Sequence, residues 1–480
     1  MEIKEKLKRF YQWEHFWLVV IVLTTFIMHL CVINQPAEPF FDEIYYVNDA
    51  RYIITDNQTL RPEHPPLAKL LIVAEELICN GFRSSQTDTG TTLLKNIDDS
   101  QTVIDVGDAS VFSAHSTISI DSEHMYVREV NTSLNQITVQ RGYATNAVAH
   151  NALITIYVFN DNPWGWRLFP IIFGTATIIM FYFLCRQLGM KKNAYIIATF
   201  LLAFENMTFV QNGMAMLDVF ALTFMMAAFL LYACRRYISS GVAVGLAGLA
   251  KLNGILALPT IAFHWIFTRQ GRSKWALLTP VVAVLVFMLL MILCDWIITR
   301  NFSLVSDPIH QVQQMSNITG SLTFHDYPGA GATYPWTWLY TYKAALYYGM
   351  PHWYGAPSFS IWALIIPTFI YMIWRAFKKD NAALFGVGWF TCVYIVWIPA
   401  TLITDRLTYS FYLFPAIGAI CLGLGIALNQ LWEYWRSDAK KVLRVTALTA
   451  FIIIITAHVL SFIILAPIIP VDWAGLVGLY

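Results

Sequence analysis

The sequence predicts an all-α polytopic membrane protein with about eleven transmembrane helices and one small β-rich extracytoplasmic insertion. Three observations carry this. The 480 residues are 57% hydrophobic and only 13% charged, against about 25% charged in an ordinary soluble domain. Apolar runs near 20 residues recur, the length that spans a hydrocarbon core of about 30 Å. The short segments between them carry most of the basic residues. Such a composition excludes a soluble globular, disordered or collagenous chain. A net charge of +1 gives no bulk attraction to nucleic acid.

The elements follow in order. A basic start, Met1 to Phe10, precedes the apolar run 16–33. No small-residue cleavage site follows it, so the run reads as a retained first span rather than a signal peptide. Residues 1–79 thus hold this span and an acidic, aromatic outer loop, in which 66–78 reads as an amphipathic helix at the interface. Residues 80–160 turn rich in Ser, Thr, Asp and Asn. Alternation in 117–120, 124–130, 136–140 and 152–159 predicts strands separated by turn residues. This insertion reads as a spacer, an acceptor-docking module or a passive addition. Spans 2–7 occupy 161–299, as runs at 164–186, 193–208 and 214–234, a pair within 238–268, and 275–299. The stretch 238–268 is too long for one span, and Lys251 and Asn253 interrupt it, so it reads as a hairpin of two short helices. A second outer loop covers 300–356. The last four spans, within 357–480, are 357–376, 383–404, 408–430 and 445–467.

Charge asymmetry supports this layout. With the N-terminus inside, the inner segments hold Lys4, Lys6, Lys8, Arg9, Arg186, Lys191, Lys192, Arg235, Arg236, Arg269, Arg272, Lys274, Arg375, Lys378, Lys379, Arg436, Lys440, Lys441 and Arg444. These are 19 of the 31 basic residues, all in short loops. A single span at 238–268 would put half of these groups on the wrong side. The C-terminal 467–480 then ends outside. The seven cysteines show no metal-type spacing and read as small buried side chains. Outer-face sequons at Asn57, Asn131, Asn301 and Asn317 recur by chance and identify nothing.

Candidate chemistry clusters at the outer face. Phe41-Asp42-Glu43 places two carboxylates beside the membrane, which suits a general base or, more plainly, solvated loop acids. His64-Pro65-Pro66-Leu67-Ala68-Lys69 is a rigid turn that starts the interfacial helix, with His64 available to a phosphate or an acceptor. Trp164-Gly165-Trp166-Arg167 reads as an aromatic belt with either a snorkelling arginine or a phosphate ligand. Asp218 and Lys251 are intramembrane charges that pair with each other, or Lys251 meets a lipid phosphate. Asp405-Arg406, followed by Tyr409 and Tyr412, suits a lipid phosphate at headgroup depth or a plain interface anchor. No Walker loop, GxGxxG or HExxH is present.

The ordered set Phe41-Asp42-Glu43, His64 to Lys69, Trp166-Arg167 with Gly174, Met216-Leu217-Asp218, Gly248 to Gly254, Tyr334-Pro335-Trp336-Thr337-Trp338, and Arg406 with Tyr409, Tyr412 and Pro415 resembles the protein O-mannosyltransferase family of GT-C glycosyltransferases. The resemblance runs from residue 41 to 415. It implies an eleven-span GT-C fold and transfer of mannose from a polyprenyl (dolichyl)-phosphate-mannose donor to Ser or Thr hydroxyls of acceptor proteins on the outer face. Asp42 matches the family's catalytic acid and Glu43 would orient the site or the acceptor. Arg167 matches the donor-phosphate arginine, with Arg406 and Lys251 sharing that phosphate. His64, Lys69, Asp218, Tyr409, Tyr412 and Trp336 would shape the acceptor side. No metal or cofactor is implied, and members of the family often pair as dimers.

Two features depart from the family pattern. No late loop is long enough for a sugar-binding-like domain, and residues 80–160 are inserted before the second span. Both favour a prokaryotic plasma membrane over the endoplasmic reticulum. The competing readings are a GT-C enzyme that modifies a lipid or cell-wall glycan and, from another class, a secondary transporter. Transporters keep polar sites at the midplane and often show repeats. Here the ionisable clusters sit at one face and no repeat is visible.

Overall fold

The computed structural model describes residues 14–268, 272–327, 331–349 and 351–469. The basic residues Lys4 to Arg9, Arg269 and the stretch 470–480 lie outside these. Helix α1 (Phe16–Val32) leads into α2 (Glu43–Asp56) and α3 (Pro66–Cys79). Six strands follow, then α4 (Trp164–Gln187), α5 (Lys192–Ala203), α6 (Asn206–Asn212), α7 (Leu217–Ala233), α8 (Tyr237–Ala250), α9 (Ala257–Phe267) and α10 (Leu278–Thr299). The outer helix α11 (Pro308–Gly320) and a hairpin of two short strands precede α12 (Phe359–Phe377), α13 (Asn381–Phe390), α14 (Trp397–Thr404), α15 (Phe414–Trp435) and α16 (Lys441–Leu465).

Among the described residues, six helices are long and apolar enough to cross a membrane. The pair α5–α6, bent by 61°, makes a seventh. Four shorter apolar helices, α1, α7, α8 and the stretch Leu252–Phe267, stand at the remaining expected spans, so the fold accommodates eleven crossings. Helix α15 lies at the centre and is buried along most of its length, whereas α10 and α16 are largely exposed. The two latter helices present Leu289 and Ile453 outward, as a lipid-facing surface requires.

The bend between α5 and α6 is not anticipated by hydropathy. Breaking a helix in a membrane leaves backbone groups that need partners. Glu205 supplies them, accepting from the amides of Thr208 (2.6 Å) and Ser358 (2.8 Å). Asn206 donates to the carbonyls of Tyr354 and Ala356, both at 2.8 Å. Close packing adds a second constraint here. A Cβ at Gly174 would sit 2.3 Å from Asn212 Cγ, so α4 and α6 meet only because that position lacks a side chain. Gly174→Ala is expected to lower stability by about 1–3 kcal/mol through overpacking. A thermal-unfolding midpoint in detergent checks this, and an unchanged midpoint would mean that α6 yields freely.

Residues Gln86–Phe159 carry a six-stranded antiparallel sheet in the order β1-β6-β3-β4-β5-β2, with β1 Gln86–Thr92, β2 Val103–Asp105, β3 Thr117–Ile120, β4 Glu123–Asn131, β5 Gln136–Gln140 and β6 Thr155–Phe159. Its core is Leu93, Ile104, Val106, Ile118, Ile120, Met125, Val127, Ile137, Val139 and Ile156. The alternating runs fall on β3 to β6. The two unanticipated strands, β1 and β2, are the sheet's edges. Gln86–Thr92 is polar throughout and β2 is three residues long, so neither offers a period-2 apolar signal.

Candidate functional site

A cavity of about 630 Å³ opens between α2, the α8–α9 turn and the segment after α14. The turn preceding α2 determines what it contains. Phe41 has φ +51°, a conformation that a bulky residue holds only when its surroundings impose it. Its ring is clamped on Tyr347 (3.9 Å between centroids) and meets Phe411 edge-on (5.8 Å). From this turn Asp42 and Glu43 diverge. Asp42 lines the cavity. Glu43 points into the interior, where it is 0% exposed.

Glu43 accepts two hydrogen bonds from Arg167, Nε–Oε1 at 2.9 Å and Nη2–Oε2 at 2.8 Å, and one from the amide of Ala215 at 2.9 Å. Arg167 also donates to the carbonyls of Ile33 (2.9 Å), Pro36 (2.6 Å) and Glu38 (3.0 Å). Five bonds account for all five guanidinium N–H groups, and Arg167 is fully buried. The expected phosphate-binding role for Arg167 is therefore corrected. With no free donor and no access to the cavity, it fastens the loop 33–43 to α4. Glu43 likewise holds the turn that aims Asp42 and does not line the cavity.

The cations at the cavity come from elsewhere. Lys251 caps the C-terminal end of α8, where the chain turns tightly: a Cβ at Gly254 would lie 2.2 Å from the Ala247 carbonyl oxygen. Its Nζ lies 2.6 Å from Asp218 Oδ2 and 5.8 Å from the Tyr412 ring centre. Asp218 thus holds Lys251 from behind and does not line the cavity. Arg406 follows Asp405, whose φ is +53°. The second outer loop fixes this segment through Leu407 N to Leu322 O and Phe324 N to Asp405 O, both 2.9 Å. The guanidinium of Arg406 lies 5.8 Å from the Trp397 ring centre. Among the described residues it makes no ion pair.

Arg61 is the cation that sequence reasoning missed. It lines the cavity beside Glu63 and His64, with its guanidinium 4.3 Å from the Tyr45 ring centre. The signal was present three residues before the His64–Lys69 motif, in Arg61-Pro62-Glu63-His64. Lys69 is 1% exposed and does not reach the cavity. Its Nζ donates to Thr59 Oγ1 and Arg61 O, both at 2.8 Å, and pairs with Asp49 at 3.7 Å. Lys69 therefore locks the loop that presents Arg61. Trp336 stacks on Tyr334 (4.7 Å) in the second outer loop and is not a cavity residue. Tyr409 and Tyr412 are.

Burial pushes the Asp42 carboxyl up to about 6, with Lys251 pulling back, Asp218 adding to the rise and Arg61 pulling back further. Burial, then the cations Lys251, Lys69, Arg61 and Arg406, hold His64 well below its ordinary value. At neutral pH the site therefore offers the ionised but poorly solvated Asp42 carboxylate, a neutral imidazole and three cations, of which Arg61 also lies 3.9 Å from Glu63. Such a carboxylate is a competent base, and the cations suit an anionic group. Leu252, Ile255, Leu256, Leu322, Val396, Trp397 and Ala400 give the same cavity an apolar wall. The arrangement fits an amphiphile with an anionic head.

The family model for dolichyl-phosphate-mannose-protein mannosyltransferase matches residues 141–310. A polyprenol-phosphate-mannose–protein mannosyltransferase of Corynebacterium glutamicum is 23% identical over 361 residues, covering 58% of this chain and 68% of the relative. The fold is similar to that of the Saccharomyces cerevisiae protein O-mannosyltransferase Pmt1-Pmt2 complex bound to the sugar donor. There the TM-score is 0.63 at 12% identity, over 95% of this chain and 90% of that one. ArnT from Cupriavidus metallidurans bound to undecaprenyl phosphate gives 0.51 at 14% identity, over 95% and 77%. At these identities the structural likeness is one of fold, and the fold is the GT-C one. The resemblance to the protein O-mannosyltransferases that the motifs carry is borne out.

Proposed function

We propose that this membrane-embedded glycosyltransferase moves mannose from polyprenyl-phosphate-mannose to Ser or Thr hydroxyls of proteins at the extracytoplasmic face, inverting the anomeric centre. The observation that carries the reading is Asp42 facing Lys251, Arg406 and Arg61 across one cavity with an apolar wall. In this reading the polyprenyl chain lies along the apolar wall and the phosphate meets the cations. The acceptor oxygen attacks C1 of mannose from the side opposite the phosphate, and Asp42 takes its proton. The bond from C1 to the phosphate oxygen breaks. The charge left on polyprenyl phosphate is met by fixed guanidinium and ammonium groups, the kind of stabilisation worth most in a site shielded from water. The leaving group needs no protonation, so one carboxylate suffices, unlike the two of glycoside hydrolysis. The step as written calls on no metal.

The curated relative's name, which specifies a polyprenol-phosphate-mannose donor and a protein acceptor, supports this donor and acceptor. A prokaryotic plasma membrane and assembly as a dimer are further parts of the proposal. The test is reconstitution of purified protein with radiolabelled polyprenyl-phosphate-mannose and a Ser/Thr-rich peptide. Alkali-labile label on the peptide is expected. Label that goes only to a lipid or glycan acceptor would keep the fold and move the acceptor class. Donor that is never consumed would end the reading.

Arg406→Ala is expected to raise the donor KM by about 10- to 100-fold, the loss of one charge-assisted contact, while the peptide KM stays unchanged. Initial rates at varied donor concentration check it. An unaltered donor KM would show that Arg406 is an interface anchor only.

A further inference from the structure

The sheet is joined to the helices by a buried polar network. Arg51 of α2 grips Asp161 with two hydrogen bonds, 2.7 and 2.8 Å, at side-chain exposures of 2% and 3%. His124 Nδ1 lies 3.0 Å from Asn48 Oδ1. The Tyr143 hydroxyl donates to the Pro39 carbonyl at 3.3 Å, within the loop 33–43 that aims Asp42. These contacts tie α2 and the loop before it to the sheet and to the segment that follows its last strand. A tethered spacer would not need such an interface.

Where the two parts meet they leave a polar cleft of about 360 Å³. One wall is Ile44, Tyr45, Leu60 and Arg61, and the other is the segment from Gln140 to Asn146. Arg61 Nη2 donates to the Ala144 carbonyl at 3.3 Å and closes the floor. Tyr45 and Arg61 also line the cavity that holds Asp42, so the two spaces share a wall. Tyr45 stands three residues after Asp42, about one helical turn away.

We infer that this cleft is the acceptor-docking site, and that it takes an extended stretch of polypeptide beside the residue to be modified. The inference rests on the proposed Ser/Thr acceptor reading and adds where that acceptor binds. The chemistry of the outer wall identifies the occupant. Gln140 and Asn146 are exposed carboxamides: Gln140 Oε1 accepts from Arg128, which leaves the Gln140 amide to donate to a carbonyl, and Asn146 can both donate and accept. Together they offer donors and an acceptor of the kind that a peptide backbone uses in any sequence. Arg61 is the one charged side chain in the lining, so the cleft selects by backbone and not by charge. A segment held there runs along Tyr45 into the cavity, where a Ser or Thr hydroxyl reaches Asp42.

The experiment uses the full-length protein in lipid nanodiscs with polyprenyl-phosphate-mannose and a Ser/Thr-rich peptide. Two variants are compared with the wild type. Gln140→Ala with Asn146→Ala removes both carboxamides, and Asn146→Trp fills the cleft. Both positions are exposed; Gln140→Ala gives up only a surface bond from Arg128, and Asn146→Trp leaves that bond in place. The expected result is a peptide KM raised about tenfold or more in each variant, with donor KM unchanged. A photoreactive benzoylphenylalanine at position 146 is expected to cross-link to the peptide. Unchanged peptide KM in both variants, with an active wild type, overturns the cleft and leaves the acceptor reading standing. A parallel rise in donor KM also overturns it, since these positions would then support the fold as a whole. Wild-type protein that glycosylates lipid but no peptide removes both together.

Discussion

Replacing Asp42 with Asn is expected to lower sugar transfer to peptide by about 10²- to 10⁴-fold, the range that a positioned general base supplies. Donor binding should persist, because Asn keeps the shape and the cations are untouched. The pH dependence gives a second, independent reading. The base works as carboxylate, and burial holds Asp42 near 6. In the wild type kcat/KM should therefore rise with pH through about 6 and level off above it. His64, held well below its usual value, adds no limb near neutrality. The stability sign runs the other way. A carboxyl raised in the folded state favours folding when protonated, and that advantage fades as pH rises from near 4 to near 6. Asp42→Asn removes a poorly solvated charge, so the variant should unfold at the same or a higher temperature at neutral pH. Normal turnover in a well-folded Asp42→Asn protein would end the general-base assignment.

The second large effect concerns Arg167. Arg167→Ala is expected to destabilise the protein by about 3–5 kcal/mol, the cost of leaving a buried partner charge uncompensated. Glu43 would be left buried with only the Ala215 amide as partner, and the carbonyls of Ile33, Pro36 and Glu38 would lose their donors. Low yield and a depressed unfolding temperature are the expected readouts. A phosphate ligand would behave differently: the variant would fold normally and show only a raised donor KM. Replacing both members, Arg167→Met with Glu43→Leu, should recover part of the stability, since removing a whole buried pair is far milder than breaking one. Activity should stay low in the double variant, because Asp42 would lose the brace behind it. Recovery of full activity would show that the pair does not position Asp42.

Membrane class, approximate crossings and the four interior strands are legible in the order of residues alone. Hydropathy and period-2 alternation are local properties, written into neighbouring residues. That order also marked Asp42, His64, Lys251, Arg406, Tyr409 and Tyr412, which the fold gathers around one cavity. It could not separate Asp42 from Glu43. Adjacent acids look alike in a sequence, and their opposite directions follow from the φ of Phe41 and from rings at Tyr347 and Phe411, more than 300 residues away. Nor could it tell a phosphate ligand from a structural clamp at Arg167, because the distinction lies in which carbonyls approach it. Arg61 stayed hidden for the same reason: its place depends on Lys69, Asp49 and the sheet's Ala144. Residue type is local, but proximity, direction and desolvation belong to the packed chain, and these convert a charged side chain into a base, a phosphate ligand or a brace.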